Sequence, residues 1–238
     1  IENQEAPQRL RALVSAPGYS PEVYLAQARA ALEVGNWEVL DSVVHTMLAD
    51  DPWEWRAVWM SGVGALARND PATAQSAFNA VYGQVPGELA PKLALAIACE
   101  LSRNEEIAER LYTICARTDA AYVPQAAFAL ARIRGARGDV DGVQAALALV
   151  PQNSSAYPLA RQHWAEQLAG HPRSVSDLNL ALLTADSAGF GRRRYAEIRV
   201  EVYRKALAMI ETAAPAPDAK VGEFAATEDG LKAGLAHA

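Results

Sequence analysis

The side chains that most often bind metals or act as nucleophiles are few in this sequence. The histidines number four and are scattered along the chain: His45, His163, His171 and His237. Their spacing is not that of metal ligands, which favours structural histidines. Cys99 and Cys115 form no C-x-x-C pair and predict neither a zinc site nor a redox motif. No arrangement of serine, histidine and acid can be argued either, so we expect no catalytic residue and no metal site.

Basic residues cluster near position 200: Arg192, Arg193, Arg194, Arg199, Arg204 and Lys205. Such a cluster could bind phosphates or an acidic partner. Glu197 and Glu201 interleave with it, which favours a solvent-exposed helix face instead. The net charge of −6, from 22 basic and 28 acidic side chains, argues against a nucleic-acid partner.

The remaining composition is that of a folded protein in water. Hydrophobic residues make up 51% of the chain, which excludes a disordered protein. No apolar run approaches the roughly 18 residues of a membrane-spanning helix, so no membrane association is expected. Two cysteines are too few for a disulfide scaffold, which favours a reducing, cytoplasmic location.

Helix-forming residues dominate the chain. Alanine is the commonest residue and β-branched runs are nearly absent, so propensity favours helix almost everywhere. Several prolines stand at or just before the start of an apolar-periodic stretch: Pro21, Pro71, Pro91, Pro124, Pro158 and Pro172. A missing N–H is tolerated there, and the preceding Ser20 and Asp70 predict N-caps. We therefore predict an all-α fold.

Four short turn motifs recur at a nearly constant interval. They separate pairs of helical patterns: Gly35-Asn36-Trp37, Asn69-Asp70-Pro71, Arg103-Asn104-Glu105 and Gly138-Asp139-Val140. Their spacings of 34, 34 and 35 residues match the period of tetratricopeptide repeats. Gly62, Phe78, Cys99 and Cys115 fit positions where the two helices of a repeat pack closely, so both cysteines are expected to be buried thiols. The sequence predicts a superhelix of about four repeats.

The repeat register is lost after residue 151. Three helical patterns follow: Tyr157 to Leu168, Ser174 to Ala185 and Arg192 to Thr212. A proline-containing linker from Thr212 to Val221 precedes a last short helix that begins at Thr227. We predict one continuous domain with an N-terminal helix in residues 1–20, repeats in 21–151 and a C-terminal helical cap in 152–238. Both ends look cut, so a fragment of a longer protein is expected.

Four motifs of the chain form a recognisable set: Pro86-Gly87-Glu88-Leu89-Ala90-Pro91-Lys92-Leu93-Ala94-Leu95-Ala96, Trp53-x-Trp55-Arg56-x-Val58-Trp59, Ala74-x-x-x-Phe78 and Phe224-x-x-Thr227-x-x-Gly230-Leu231-x-x-Gly234. The set resembles the C-terminal tetratricopeptide domain of actinobacterial serine/threonine protein kinase G. The resemblance is strong from about Leu32 to Leu101 and weak from Pro151 to Ala219.

The resemblance implies a multidomain kinase with a redox-sensitive rubredoxin-like module, a kinase domain that uses ATP and magnesium, and this helical domain. In that family the helical domain carries stability and dimerisation. The implied partners are therefore a second copy of the chain and its own kinase domain. The implied substrate is a small forkhead-associated regulator of 2-oxoglutarate and glutamate metabolism. No cofactor is expected in this chain itself.

The motifs of phosphoryl transfer are missing from this chain. A kinase needs a glycine loop, a phosphate-binding lysine, an aspartate base and a metal-binding aspartate. The corresponding patterns G-x-G-x-x-G, V-A-I-K, H-R-D and D-F-G do not occur. Gly62-x-Gly64 is only a fragment of a glycine loop and lies in a helical pattern. The chain is not expected to be an enzyme, whereas the implied full-length parent is a serine/threonine kinase.

In a tetratricopeptide repeat, the second, fifth, ninth and twelfth positions of the first helix line a concave groove. Here these positions are Glu22, Leu25, Arg29 and Leu32; Arg56, Trp59, Val63 and Leu66; Ala90, Leu93, Ile97 and Glu100; Gln125, Phe128, Arg132 and Gly135. We take the central members as the candidate protein-binding groove: Leu25, Arg29, Trp59, Val63, Leu93, Ile97, Phe128 and Arg132. Most of these are apolar, and the lysine and asparagine clamp of chaperone-binding relatives is missing.

Such a groove would be a large exposed apolar patch, which proteins in water seldom leave bare. Its cover could be the last helix through Leu231 and Leu235, a second protomer, or the kinase domain. Alternatively, tight curvature buries these side chains against one another. We favour a non-catalytic interaction, dimerisation and regulatory domain; the alternative is a free-standing adaptor that binds an apolar peptide or helix. A kinase sequence upstream of Ile1 in the complete reading frame would separate the two.

Overall fold

The computed structural model describes residues 5–16 and 20–238, so part of the predicted N-terminal segment 1–20 lies outside the described residues. Thirteen helices occur in the described ranges: α1 (Ala6–Val14), α2 (Pro21–Val34), α3 (Trp37–Asp50), α4 (Trp55–Ala67), α5 (Pro71–Gln84), α6 (Leu89–Leu101), α7 (Glu105–Thr118), α8 (Val123–Ala136), α9 (Val140–Leu147), α10 (Tyr157–Gly170), α11 (Val175–Ser187), α12 (Arg192–Thr212) and α13 (Glu228–Ala236). In the same ranges, two short strands pair antiparallel: β1 (Lys220–Val221) and β2 (Phe224–Ala225). The predicted all-α class is confirmed, with this hairpin as a small addition. Within these ranges, no helix combines the length and the apolar character needed to cross a membrane.

Contacts divide the chain into two compact units, Ile1–Cys115 and Ala116–Ala238. In the first unit, α1 to α6 pack in sequence, each against the next. In the second unit, α8 to α13 pack in the same consecutive manner, with the hairpin between α12 and α13. The division lies within the last turn of α7, whereas the predicted end of the repeats is at residue 151. That end stays a prediction.

The four predicted turns share one backbone geometry. Each contains a residue in the left-handed region, with φ of 69° at Gly35, 58° at Asn69, 64° at Arg103 and 74° at Gly138. The next residue donates its backbone N–H to the carbonyl five positions earlier, over 2.8 to 3.0 Å. This is the hydrogen bond of a Schellman helix end, and it turns the chain sharply. The turns that set the repeat period are therefore real helix boundaries.

The residue that follows the left-handed position often starts the next helix as its N-cap. Asn36 accepts the N–H of Val39 on its Oδ1 at 3.1 Å. The equivalent bonds in the second and fourth turns join Asp70 to the N–H of Thr73 at 3.1 Å and Asp139 to that of Gly142 at 2.8 Å. Each of these side chains satisfies a backbone donor that the helix itself leaves unpaired. The same residue thus ends one helix with its backbone N–H and begins the next helix with its side chain.

Close helix approach shapes the core of the first unit. Phe78 on α5 is fully buried, and a Cβ at Gly62 of α4 would lie 2.6 Å from the Cε1 of its ring. Only a residue without a side chain fits there, as the repeat position predicts. Cys99 and Cys115 are also buried, and burial raises the pKa of both thiols. They are packing residues in this fold.

The predicted linker from Thr212 to Val221 ends in the β-hairpin. The N–H of Gly222 donates to Oδ1 of Asn179 on α11 at 2.9 Å, which ties the hairpin to the second unit. Val221 is fully buried, and its carbonyl accepts from the hydroxyl of Tyr203 on α12 at 3.4 Å. Leu231 on α13 is also fully buried, and α13 packs on α12. The last helix thus completes the core of the second unit.

Candidate protein-binding groove

The first unit contains six of the eight predicted groove residues. They lie on the first helices of three repeats: Leu25 and Arg29 on α2, Trp59 and Val63 on α4, Leu93 and Ile97 on α6. The other two, Phe128 and Arg132, lie on α8 of the second unit.

A pocket of about 410 Å³ lies between α2, α4 and the segment that leads into α6. We call its lining residues the groove pocket: Leu25, Arg29, Trp55, Arg56, Trp59, Met60, Val85, Glu88, Ala90 and Pro91. Leu25, Arg29 and Trp59 are members of the predicted groove. The other three predicted members in this unit, Val63, Leu93 and Ile97, do not line this pocket.

The apolar side chains of this region differ in how far the first unit covers them. Leu25 is only 6% exposed and belongs to the core, and Trp59 is half-buried against the same core. Trp55 and Ile97 each remain 37% exposed. The unit therefore covers Leu25 almost fully and Trp59 in part, and it leaves apolar surface exposed at Trp55 and Ile97.

The indole of Trp59 is supported by the buried ring of Phe78. Its ring packs on Phe78 with the centroids 5.1 Å apart and the planes tilted by 53°. Phe78 is confined in turn by Gly62, which leaves no space for the phenyl ring to move toward α4. Trp59 therefore presents a fixed aromatic surface to the groove pocket before any partner binds.

Two guanidinium groups line the groove pocket, and their surroundings differ. Arg56 donates from Nε and Nη2 to the two carboxylate oxygens of Glu54, at 2.8 and 2.6 Å. This contact lowers the pKa of Glu54 and raises that of Arg56. Arg29 is exposed, and within the described part of the chain its guanidinium forms no hydrogen bond or ion pair. The charge of Arg56 is thus balanced by Glu54, whereas the charge of Arg29 is available to a partner.

A buried lysine holds the wall of the groove pocket that leads into α6. Lys92 is 8% exposed, and its Nζ donates to the carbonyls of Pro86 and, at 3.0 Å, of Glu88. The same ammonium lies 5.3 Å from the ring centroid of Tyr82. Backbone carbonyls and an aromatic face thus replace the water around this charge. The bonds fix the turn that carries Val85 and Glu88 into the pocket lining.

In the second unit, Phe128 lies on the side of α8 that meets α10. Its ring is 5.2 Å from that of His163, with the planes tilted by 50°. Arg132 is exposed on the same helix and has an electrostatic or hydrogen-bond partner. His163 therefore contacts an aromatic ring, as a structural histidine does.

Several basic side chains of the α12 cluster form ion pairs. Arg194 contacts Glu166 on α10 at 2.8 Å and Glu197 at 3.2 Å. Lys205 contacts Glu201 at 3.0 Å and also donates to the carbonyls of Ala169 and Gly170 at the end of α10. These partners use much of the positive charge, which supports the prediction of a solvated helix face over a phosphate site.

Some residues of the groove pocket lie outside the predicted groove positions: Trp55, Met60, Val85, Glu88 and Pro91. Trp55, Glu88 and Pro91 belong to the motifs that carry the family resemblance, and only that membership could have pointed to them from the sequence. Met60 and Val85 carry no such signal, because their place in the lining depends on packing between helices.

The lining of the groove pocket combines apolar and charged side chains. Apolar side chains, two guanidinium groups and one carboxylate make up most of it. Across the described residues, no group of three or more His, Cys, Asp or Glu side chains is placed to hold a metal ion. The arrangement suits burial of an apolar side chain beside a charged one.

Consecutive helix pairs with a period of about 34 residues define a tetratricopeptide-repeat protein. The chain belongs to the protein kinase G tetratricopeptide repeat family, whose sequence model matches residues 4–238. This match confirms both the resemblance and the repeat fold predicted from the sequence.

Two relatives of the chain come from mycobacteria. The chain is 35% identical over 142 residues to serine/threonine-protein kinase PknG of Mycobacterium leprae, a match that covers 60% of the chain and 18% of the relative. It is 30% identical over 221 residues to serine/threonine-protein kinase PknG of Mycolicibacterium smegmatis, which covers 91% of the chain and 29% of the relative. The chain thus spans less than a third of the length of these relatives.

Proposed function

We propose that this chain is the non-catalytic interaction, dimerisation and regulatory domain of a serine/threonine protein kinase related to PknG. Its family membership and the names of its two mycobacterial relatives support this proposal. Because the chain spans less than a third of those relatives, we assign catalysis with ATP and magnesium to the remainder of such a kinase. We assign no cofactor to the chain itself.

The observation that carries the proposal is the groove pocket with its fixed indole. Trp59 is held by Phe78 and loses little side-chain freedom when a partner binds. Aromatic anchors of this kind supply a large share of the binding free energy of protein interfaces. The proposed occupants are a segment of a second copy of the chain and a segment of the kinase domain.

The proposed mechanism is proximity. A rigid helical unit that holds two kinase modules, or a kinase and its substrate, raises their effective concentration without taking part in the chemistry. By the family resemblance, the substrate of the parent kinase is a forkhead-associated regulator of 2-oxoglutarate and glutamate metabolism. The proposed location is the cytoplasm.

Light scattering over a concentration series tests dimerisation and its dependence on the groove. The chain has a mass of 25.5 kDa, and we expect twice this mass at high concentration. Trp59→Ala should raise the dissociation constant of the dimer tenfold or more, since a central aromatic anchor often contributes about 2 kcal/mol. Trp53→Ala is the matched control, because Trp53 is 77% exposed and does not line the groove pocket.

The outcomes separate the two occupants. A mass of one chain at every concentration would contradict dimerisation. A dimer that Trp59→Ala leaves intact would place the interface elsewhere, and titration of the purified kinase domain into the chain would then test the second occupant. If Trp59→Ala weakens neither association while circular dichroism shows unchanged helicity, the groove is not the binding surface.

A further inference from the structure

The groove pocket has one free charge of each sign. Arg29 lies on α2, the first of the three helices that form the pocket, and Glu88 immediately precedes α6, the third. Among the residues that the structure describes, neither side chain forms a hydrogen bond or an ion pair. The other guanidinium of the lining, Arg56, is neutralised by Glu54. A bound partner therefore meets a cation at α2 and an anion at α6.

Arg29 is on α2 and Glu88 precedes α6. Between them in the chain, α4 contributes apolar side chains to the groove pocket. Trp55 and Trp59 follow each other at one helical turn on α4, and Met60 lies beside Trp59. Trp55 is 37% exposed, so much of its surface has no cover within the unit. A pocket of about 410 Å³ has room for one bulky apolar side chain and the backbone next to it.

We propose that the groove pocket takes a peptide segment of a protein partner in which one bulky apolar side chain lies between an acidic and a basic residue. The apolar side chain packs against Trp55 and Trp59. The carboxylate accepts hydrogen bonds from Arg29, and the basic side chain pairs with Glu88. This inference rests on the proposed function of the groove. It adds the chemical character of the bound segment and the direction in which that segment lies.

The charges around the groove pocket also disfavour a ligand that carries only negative charge. A phosphate-rich ligand drawn to Arg29 would also meet the carboxylate of Glu88, on a chain with a net charge of −6. A segment with separate charges of both signs avoids this repulsion. Complementary pairs across an interface fix the direction of binding as well as its strength.

Selection of random 12-residue peptides displayed on phage, with the full chain immobilised, tests the proposal without a known partner. We expect the peptides enriched by the chain to share an acidic, an apolar and a basic position in one order. Trp59→Ala and Arg29→Glu should each weaken binding of a synthetic copy tenfold or more in fluorescence polarisation. Selection with Arg29→Glu should favour a basic residue at the formerly acidic position of the peptide. Selection with Glu88→Arg should favour an acidic residue at the formerly basic position.

Arg117→Glu is the matched control, because Arg117 is exposed on α7 and does not line the groove pocket. It should leave the affinity and the selected sequences unchanged. Peptides that need Trp59 but bind Arg29→Glu as well as the parent chain would overturn the charge inference and leave the groove function standing. If no enriched peptide loses affinity in Trp59→Ala, the proposed occupant is wrong, and the light-scattering series decides the groove function by itself.

Discussion

At the scale of single residues, Arg103 occupies a backbone conformation that two equivalent turns assign to glycine. Its φ is 64°, close to 69° at Gly35 and 74° at Gly138, and the backbone bond from Asn104 to the Cys99 carbonyl is the same. A side chain with a Cβ is disfavoured in this region, because the Cβ approaches the carbonyl oxygen. The turn is thus kept by the surrounding helices at some cost to stability.

Arg103→Gly should therefore stabilise the first unit by about 0.5–1 kcal/mol, the relief of left-handed strain less the greater freedom of glycine in the unfolded chain. The midpoint of urea unfolding measures the change. Arg103→Ala removes the same side chain without relieving the strain and should give no gain. Equal midpoints for the two variants would show that the side chain, and not the backbone angle, sets the energy of this turn.

At the scale of elements, the contact of α4 with α5 positions the groove anchor. Gly62 lets the two helices approach, Phe78 fills the contact, and Trp59 rests on Phe78. The small residue that close packing requires on α4 thereby determines where the indole three residues earlier, on the same side of the helix, stands. The packing of α4 on α5 and the position of the proposed anchor therefore depend on the same three residues.

Gly62→Ala should destabilise the chain by roughly 1–3 kcal/mol, because the added Cβ would come within 2.6 to 3.0 Å of three ring atoms of Phe78. The shift of Phe78 should also change the fluorescence of Trp59. Gly83→Ala on α5 is the control: its Cβ would meet no atom within 4 Å, and the lower backbone freedom of alanine should stabilise that helix by up to about 1 kcal/mol. Equal melting temperatures for the two variants would refute this account.

At the scale of the whole molecule, each compact unit has its own core, and the second depends on the last elements of the chain. Leu231 on α13 and Val221 in the hairpin are both fully buried. The hairpin is bound to Asn179 on α11 and to Tyr203 on α12. In repeat proteins each element is stabilised mainly by its neighbours, so loss at one end is felt first nearby.

Leu231→Ala should lower the stability of the second unit by about 2–5 kcal/mol through loss of burial and the cavity left behind. Hydrogen exchange read by mass spectrometry should show faster exchange in α11, α12 and α13, with α2 to α5 unchanged. Leu235→Ala on the same helix is the control and should have a smaller effect, because Leu235 is only half-buried. Equal loss of protection along the whole chain would contradict separate cores.

Much of this fold could be predicted, because its boundaries depend on local chemistry. The helix ends at Gly35 and Gly138 and the caps at Asn36, Asp70 and Asp139 need only residues within one turn of each other. The β-hairpin could not be predicted in this way. Two-residue strands carry no periodic pattern, and Val221 is buried only because distant helices meet there.

The sequence by itself determined the repeat period and the helical class, since these follow from turn chemistry and helical periodicity, and it predicted a set of groove positions. Only the tertiary structure decided which of those positions are open. Leu25 is buried in the core, Ile97 is exposed, Arg56 is paired and Arg29 has no partner among the described residues. Exposure and charge pairing depend on neighbours that packing brings together from separate helices, and this is why the open and charged positions of the groove pocket appear only in the folded chain.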